Sequence, residues 1–306
     1  MEQKKITALI GRIKTSLRPV YHDATLREQS AWWIVEAITK KNHIELIAQN
    51  SFELTPEQEA QLAAWLDALI NESMPLQYLI GSVPFVDLEI MVKPPVLIPR
   101  PETEEWVANL IGDLKRLENQ SITILDACTG SGCVALALAH ALPAAQVYAI
   151  DISAQALELA KANAQHNGIA NITFMESDLF DAVPTDQLFD LIVSNPPYIS
   201  FNEFEELYNS VTTWEDPQAL VAEDEGYAIL YELIEQAADF IELNAEMQQR
   251  GIPQVVLEIG YKQGHKVSDF MKSAGFNDVK VHKDLAGKDR TVTGRIDSVV
   301  DSKKTT

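Results

Sequence analysis

Short apolar runs alternate with helix-forming stretches from residue 121 onward, and this rhythm restricts the possible folds more than any other feature of the chain. The runs at 122–125, 147–150, 172–175 and 189–193 are short and rich in β-branched residues, as buried strands are. Alternation of this kind predicts an α/β fold with a mostly parallel, doubly wound sheet. We expect helices at 134–139, 153–166, 226–245 and 263–274, and further strands at 255–259, 279–281 and 291–295.

The first 73 residues have a different, helical pattern. Thr55-Pro56-Glu57-Gln58 predicts a helix start with a capping box. The basic start loosely resembles a mitochondrial presequence. Apolar residues at helical spacing favour a docked first helix instead: Ile6, Leu9, Ile10, Ile13 and Leu17.

The region between these two patterns reads as a hairpin over 83–92, followed by a stiff proline-rich arm over 94–101. The arm is either a linker or part of a site. We therefore expect an N-terminal helical domain (1–80), a hairpin and arm (81–100), an α/β domain (101–297) and a flexible tail (298–306).

Charge and composition limit the partners of the chain. Its 306 residues include 45 Asp and Glu against 24 Lys and Arg, a net charge of −21. Such a surface repels phosphate backbones, so we expect no direct nucleic-acid binding, and it would attract a basic protein.

No apolar stretch reaches the ~20 residues that span a bilayer. The two cysteines, Cys128 and Cys133, form no metal-ligand pattern and indicate a reducing compartment. We expect a cytoplasmic monomer without metal or membrane contact, with the mitochondrial matrix as the alternative location.

A glycine-rich segment over 126–133 follows the first predicted strand of the α/β region. Gly130-x-Gly132-x-x-Ala135 satisfies the dinucleotide pattern, which leaves NAD and S-adenosylmethionine both open. Asp151, at the end of the next strand, can hold ribose hydroxyls. Two observations favour S-adenosylmethionine: Asp126 suits an ammonium group better than a pyrophosphate, and no His stands at an obvious strand end for a dehydrogenase.

Asp178 and Leu179 follow the third strand. Asp178 can reach the adenine amino group while Leu179 packs on the ring. Asp178 is equally compatible with a helix cap or turn.

The strand over 189–193 stops at Asn195-Pro196-Pro197-Tyr198, which predicts a rigid loop at the sheet edge where α/β folds bind ligands. The Asn195 side-chain oxygen and the Pro196 carbonyl can accept both hydrogens of a planar NH₂ group and aim its nitrogen. Pro197 has no N–H to compete for that carbonyl, and Tyr198 can stack on a flat amide or base.

Three kinds of planar NH₂ group fit this loop equally well: a glutamine amide, adenine N6 and cytosine N4. A DNA enzyme would need a basic face, which this composition disfavours. The alternative is an ordinary Asn-Pro turn.

Together these segments resemble the HemK/PrmC-type release-factor glutamine N5-methyltransferases over about residues 20–296. The resemblance implies a class I S-adenosylmethionine-dependent methyltransferase domain, Rossmann-like with a seven-stranded sheet, behind a small helical domain. It implies methylation of the Gly-Gly-Gln glutamine in a class 1 peptide chain release factor, and so a part in translation termination. The resembling segments are 97–104, 126–133, 194–199, 257–260 and 289–295.

The motifs and the resemblance together nominate the site residues. For S-adenosyl-L-methionine we expect Asp126, Cys128, Thr129, Gly130, Ser131, Gly132, Asp151, Ile152, Asp178, Leu179 and Asn195. For catalysis and substrate binding we expect Asn195, Pro196, Pro197 and Tyr198, with Arg100 and Glu102 as further substrate contacts.

Two positions bear on alternative functions. Cys128 stands where the family usually has Gly, so we expect a shifted cofactor contact, and a cofactor-binding protein without turnover stays conceivable. Arg100 is followed by Pro101-Glu102, whereas the similar ribosomal-protein glutamine methyltransferases carry Ser-Pro, which favours the release-factor branch. A nucleic-acid amino-methyltransferase is the remaining alternative.

Overall fold

The computed structural model of the protein describes residues 4–48, 52–117 and 121–297. Its chain forms two compact units. The N-terminal unit extends to Ser82 and includes Tyr208–Trp214, and the larger unit contains Val83–Leu207 and the chain from Glu215 onward. The tail expected at 298–306 lies outside the described residues.

The N-terminal unit is helical, as its pattern predicted. At the start of its fourth helix, the Thr55 side chain accepts from the Gln58 N–H and the Gln58 side chain accepts from the Thr55 N–H, which is the expected capping box. The first helix buries Ile13 completely, and Leu17, directly after it, is also fully buried. The helices are α1 (Lys4–Ser16), α2 (Ala24–Thr39), α3 (His43–Ile47), α4 (Pro56–Asn71) and α5 (Leu76–Ile80).

The larger unit begins with the predicted hairpin and continues as alternating strands and helices. Its elements are β1 (Ser82–Phe85), β2 (Leu88–Met91), α6 (Pro101–Leu114), β3 (Thr123–Ala127), α7 (Cys133–Ala141), β4 (Gln146–Asp151), α8 (Ala154–His166), β5 (Ile172–Glu176), β6 (Leu191–Ser194), α9 (Phe201–Glu205), α10 (Asn209–Thr212, in the N-terminal unit), α11 (Glu223–Gly226), α12 (Ala228–Ala237), α13 (Ala245–Arg250), β7 (Val255–Glu258), α14 (Gly264–Ser273), β8 (Asn277–Lys283) and β9 (Asp289–Arg295). Short 3₁₀ helices lie at Pro217–Ala219 and Ala238–Phe240.

The sheet has seven strands in the order β5-β4-β3-β6-β7-β9-β8. Neighbouring strands from β5 to β7 are parallel, and β9 runs antiparallel to both β7 and β8. Ala127 at the end of β3 is in register with Ile150 of β4 and with Ser194 of β6. The mostly parallel sheet predicted from the sequence is therefore confirmed. From β3 the chain adds β4 and β5 on one side, and it then crosses over to add β6 and β7 on the other side of β3.

The long helix expected over 226–245 is wrong, because the chain breaks it near Phe240. The Phe189 N–H donates to the Phe240 carbonyl at 2.8 Å, and the Glu242 N–H donates to the Phe189 carbonyl at 2.8 Å. These bonds hold Ile241 in an extended conformation beside Phe189. The Asn244 side chain then caps α13. A pairing with a distant residue thus overrides the local helical pattern.

Apolar side chains cover both faces of the sheet. Ile124 and Val193 point into one buried cluster with α6 and α7, and Leu125 and Ile192 point into the other with α12 and α14. Within the described part of the chain, we find no helix with the length and apolar character needed to cross a membrane.

Candidate active site

A cleft of about 470 Å³ opens where the parallel strands end. Cys128 follows β3, Asp151 ends β4, Asp178 lies just beyond β5 and Asn195 follows β6, and all four line it. Because these strands are parallel, their carboxyl ends meet at one edge of the sheet. Ligands bind there in open α/β folds, at the point where the strand order reverses. The predicted residues Gly130, Ile152, Leu179 and Pro197 also line the cleft.

The glycine-rich turn between β3 and α7 needs a left-handed backbone at three positions. Cys128, Gly130 and Gly132 have φ of +57°, +56° and +82°. A Cβ on Gly132 would lie 2.9 Å from the Ala160 Cβ, so this glycine lets α8 pack closely on the turn. Cys128 adopts a conformation that glycine tolerates best, which is a physical reason for the Gly that the resembling family usually has at this position.

Four predicted cofactor residues do not line the cleft: Asp126, Thr129, Ser131 and Gly132. The turn uses these residues for its own hydrogen bonds. The Thr129 hydroxyl donates to Asp126 Oδ2 at 2.6 Å, and the Ser131 carbonyl accepts from Asn163 Nδ2 at 2.9 Å. These bonds give the residues a scaffolding role within the turn, and their direct contact with the cofactor stays a prediction.

Asp126 supports the turn from underneath. It is 1% exposed, and its Oδ2 atom accepts from both Thr129 and the Ala135 N–H, at 2.6 and 3.1 Å. Burial raises the pKa of this carboxyl to about 7, although the two hydrogen bonds oppose that rise. Asp126 therefore stabilises the turn between β3 and α7.

Asp151 is the carboxylate that faces the cleft from β4. Its Oδ2 accepts from the Gly130 N–H at 2.8 Å, and its Oδ1 accepts from the Ser153 N–H at 2.9 Å. Desolvation raises the pKa of this carboxyl, while both backbone hydrogen bonds lower it. Each carboxylate oxygen can accept more than one hydrogen bond, so Asp151 can receive ligand hydroxyls without losing these two bonds.

The Asn-Pro-Pro-Tyr loop is held from several sides. The Ile199 N–H donates to the Leu220 carbonyl at 2.9 Å, and Gln263 Nε2 donates to the Tyr198 carbonyl at 3.0 Å. A Cβ on Gly226 would lie 2.3 Å from that Tyr198 carbonyl oxygen, so only glycine fits there. The loop is therefore fixed at its exit as well as by its prolines.

Two of the four loop residues line the cleft, namely Asn195 and Pro197, whereas Pro196 is buried. Tyr198 does not line the cleft, and its hydroxyl donates to Glu258 Oε1 at 3.1 Å. The hydrogen bond to Glu258 makes Tyr198 a support for the loop, and the expected stacking of its ring on the substrate stays a prediction.

The sequence reasoning missed a buried hydrogen-bond network behind Asn195. Asn195 Nδ2 donates to Thr103 Oγ1 at 3.2 Å, and the Thr103 hydroxyl donates to Glu258 Oε2 at 2.7 Å. Trp106 Nε1 donates to the same oxygen at 2.8 Å. Desolvation raises the pKa of the Glu258 carboxyl, and its three donors and the charge of Arg290 lower it. An acidic residue ending the apolar run Val255–Glu258 was the available signal.

The proline-rich arm is part of the site rather than a mere linker, because Pro95, Val96 and Leu97 line the cleft. Arg100 at its end forms an ion pair with the buried carboxylate of Glu215 and does not line the cleft. A main-chain hydrogen bond from Asp216 to the Pro95 carbonyl, 2.8 Å long, joins the same two segments.

Glu102, expected near the substrate, lines a different cavity of about 180 Å³ beside α6, β8 and β9. Its position on the first turn of α6 directs it to that side of the helix, so the structure does not place it with Asn195.

The cleft is strongly acidic. Residues 162–249 contain 18 Asp and Glu but no Lys or Arg, and they supply much of its wall. This charge suits a cationic ligand and opposes a pyrophosphate, so the donor set fits a sulfonium cofactor better than a dinucleotide. Five carboxylates line the cleft, with no lysine or arginine among its described lining residues: Asp151, Asp178, Asp216, Glu223 and Glu232. The described ranges hold no cluster of three or more His, Cys, Asp or Glu arranged to bind a metal ion.

Comparisons with known proteins agree with this architecture. A methyltransferase domain model matches residues 118–275, and a PrmC N-terminal domain model matches residues 21–81. The release factor glutamine methyltransferase of Lactococcus lactis is 42% identical over 243 residues, covering 79% of this chain and 84% of that protein. The proteins of the same name from Thermodesulfovibrio yellowstonii and Escherichia coli K12 are 33% and 36% identical. The matched regions cover 90% and 86% of this chain, and 95% and 90% of those two proteins, respectively.

The two matched domains lie in the order predicted from the sequence, and the glycine-rich turn and the Asn-Pro-Pro-Tyr loop meet in one cleft of the methyltransferase domain. The chain therefore belongs to the release factor glutamine methyltransferase family.

Proposed function

We propose that the chain transfers the methyl group of S-adenosyl-L-methionine to the side-chain amide nitrogen of the Gly-Gly-Gln glutamine in class 1 peptide chain release factors. The observation that carries this proposal is the shared cleft: Asn195 and Pro197 line it together with Asp151 and Gly130. A planar amide held by the loop would therefore lie beside the cofactor pocket. The names of the relatives that are 33–42% identical to the chain support the same substrate.

The cofactor end of the cleft suits an adenosyl group. Asp151 would hold the ribose hydroxyls, Asp178 would accept from the adenine amino group, and Leu179 and the exposed Ile152 would pack on the ring. The carboxylates of the cleft favour the positive charge of the cofactor, which supplies an electrophilic methyl group when bound. No metal is required for these roles.

The substrate end of the cleft holds the amide. The nitrogen of an amide is a poor nucleophile because its lone pair is delocalised into the carbonyl. Asn195 would accept one hydrogen of the NH₂ group, and the Pro196 carbonyl would accept the other, which orients the nitrogen. Fixed acceptors also stabilise the positive charge that develops on that nitrogen. Asn195 therefore orients the substrate and does not act as a base, because the methylated nitrogen is acidic enough to lose its proton readily.

Mass spectrometry tests the proposal. The chain is incubated with S-adenosyl-L-methionine and a purified class 1 release factor, and the peptide that contains Gly-Gly-Gln is analysed. We expect a mass gain of one methylene group on the glutamine. Asn195→Ala should lower turnover by about 100-fold or more, while calorimetry finds cofactor affinity changed by less than about threefold.

Three results would reject this proposal. Cofactor binding without methylation of any release factor would indicate a binding protein without turnover. Transfer of labelled methyl to duplex DNA, or to a ribosomal protein in place of the release factor, would assign a different substrate. Full activity in Asn195→Ala would remove that residue from its role.

A further inference from the structure

The side-chain amide of Asn195 has two ends with opposite hydrogen-bonding character, and only one of them can face the substrate. The carbonyl end accepts hydrogen bonds, and the NH₂ end donates them. An amide that faced the cleft with its NH₂ end could not accept the hydrogens of a glutamine side chain. The residues behind Asn195 therefore determine what the cleft can recognise.

Glu258 determines the direction of the hydrogen bonds behind Asn195. It is 1% exposed, and it receives hydrogen bonds from Thr103 and Trp106 on Oε2 and from Tyr198 on Oε1. The Trp106 indole can only donate, so the Oε2 atom that receives it is an acceptor oxygen. The Thr103 hydroxyl has a single proton, and without it the two oxygens that lie 2.7 Å apart would repel each other. That proton therefore points at Glu258.

Once its proton points at Glu258, the Thr103 oxygen can only accept from Asn195. The Asn195 atom that lies 3.2 Å from Thr103 Oγ1 must therefore be Nδ2. The opposite end of the amide, Oδ1, is then left for the cleft that Asn195 lines. The order of donors from Asn195 through Thr103 to Glu258 leaves no other arrangement.

We propose that Thr103 and Glu258 are positioning residues that fix the orientation of the Asn195 amide, so that the cleft accepts a side chain bearing NH₂ and rejects a carboxylate of the same shape. This inference rests on the proposed function and adds the basis of its selectivity. Glutamine and glutamate differ only in one NH₂ group against one oxygen. A fixed acceptor attracts the first and repels the second, because neither Asn195 Oδ1 nor a carboxylate oxygen has a proton to share.

The test measures binding, so that it does not depend on turnover. The full chain is saturated with S-adenosylhomocysteine. The dissociation constants of a class 1 release factor and of the same factor with glutamate in place of the Gly-Gly-Gln glutamine are then compared. The unaltered chain should prefer the glutamine form by about 10- to 100-fold.

Thr103→Val keeps the side-chain shape but removes the hydroxyl, so the Asn195 amide can turn. The preference should then fall below about threefold, and kcat should fall by about 10- to 100-fold with the KM for cofactor unchanged.

Two control variants separate orientation from general damage. Thr103→Ser keeps the hydroxyl and should keep the preference. Trp106→Phe removes another donor to Glu258 but leaves the Thr103–Asn195 contact, so it should also keep the preference. If Thr103→Val does not fold, Thr103→Ala takes its place, because it also removes the hydroxyl that holds the Asn195 amide.

The outcomes also distinguish this inference from the proposed function. An unaltered chain that does not methylate the release factor contradicts the proposed function. An unaltered chain that methylates it, together with a Thr103→Val or Thr103→Ala variant that keeps the full glutamine preference, overturns the role of the Thr103–Glu258 pair alone.

Discussion

Two buried carboxylates stand at the carboxyl ends of parallel strands on the two sides of the active-site cleft, and they are held in different ways. Asp126 on β3 and Glu258 on β7 are both 1% exposed, and burial raises the pKa of each. The donors to Asp126 lie three and nine residues further along the chain. The donors to Glu258 are 60, 152 and 155 residues away.

This difference separates local from long-range organisation of the site. Asp126 stabilises the turn that directly follows its own strand, so it supports the cofactor end of the cleft from within one βα unit. Glu258 joins β7 to α6 and to the loop after β6, and thus fixes the substrate end by connecting three elements. The carboxylate behind the substrate end is therefore held by distant segments, whereas the carboxylate behind the cofactor end is held within its own βα unit.

The largest expected effect comes from truncating the two carboxylates. Glu258→Ala leaves three donors without their acceptor, at a cost of ~1–3 kcal/mol each, so we expect the free energy of unfolding to fall by about 5 kcal/mol. Asp126→Ala leaves two donors and should lower it by about 2 kcal/mol. Urea unfolding of both variants at pH 7 measures the difference. Equal losses would show that the long-range network contributes no more than the local one.

A pH titration of stability sharpens the comparison for Asp126. Its pKa is raised from 3.8 to about 7 in the folded protein, so between these values the unfolded chain loses a proton that the folded chain keeps. The free energy of unfolding therefore falls as the pH rises from about 4 to about 7, and the loss stays constant at higher pH. Asn cannot ionise, so the stability of Asp126→Asn relative to the unaltered chain should rise between pH 4 and pH 8, by up to about 4 kcal/mol.

Chemical denaturation at several pH values measures this difference. Asp186→Asn, which removes one exposed charge, is the matched control and should not show the same rise. A pH-independent difference for Asp126→Asn would show that Asp126 is ionised in the folded protein throughout this range.

The same division between local and distant contacts explains which features the sequence could predict. The capping box at Thr55, the parallel strands and the glycine-rich turn depend on residues close together in the chain, and all were predicted. The break at Ile241 depends on pairing with Phe189, and the predicted long helix was wrong for that reason. Periodicity reports which face of a helix is apolar, but it does not report which distant strand that face meets.

The candidate site divides in the same way. Asp151, Asp178 and Asn195 each stand at or just after a strand end, so their place at the cleft follows from the alternation of strands and helices. Thr103 lies in the first turn of α6, and nothing local to it indicates a partner 155 residues away. The expected stacking of Tyr198 was inferred from its ring alone, and no local signal indicated that its hydroxyl donates to Glu258. Residue type therefore predicted which side chains matter more reliably than it predicted their contacts.

The smallest effect concerns Cys128, which begins the turn that Asp126 supports and has φ of +57°. Cys128→Gly removes a left-handed strain of ~1–2 kcal/mol but also loses side-chain packing and adds freedom to the unfolded chain. We expect stability to change by less than about 1 kcal/mol and cofactor affinity, measured by calorimetry, to change by less than about threefold. Cys128→Val, which is β-branched and disfavoured at this φ, should be less stable than either. A tenfold loss of cofactor affinity in the glycine variant would show that the thiol, which lines the cleft, contributes a contact of its own.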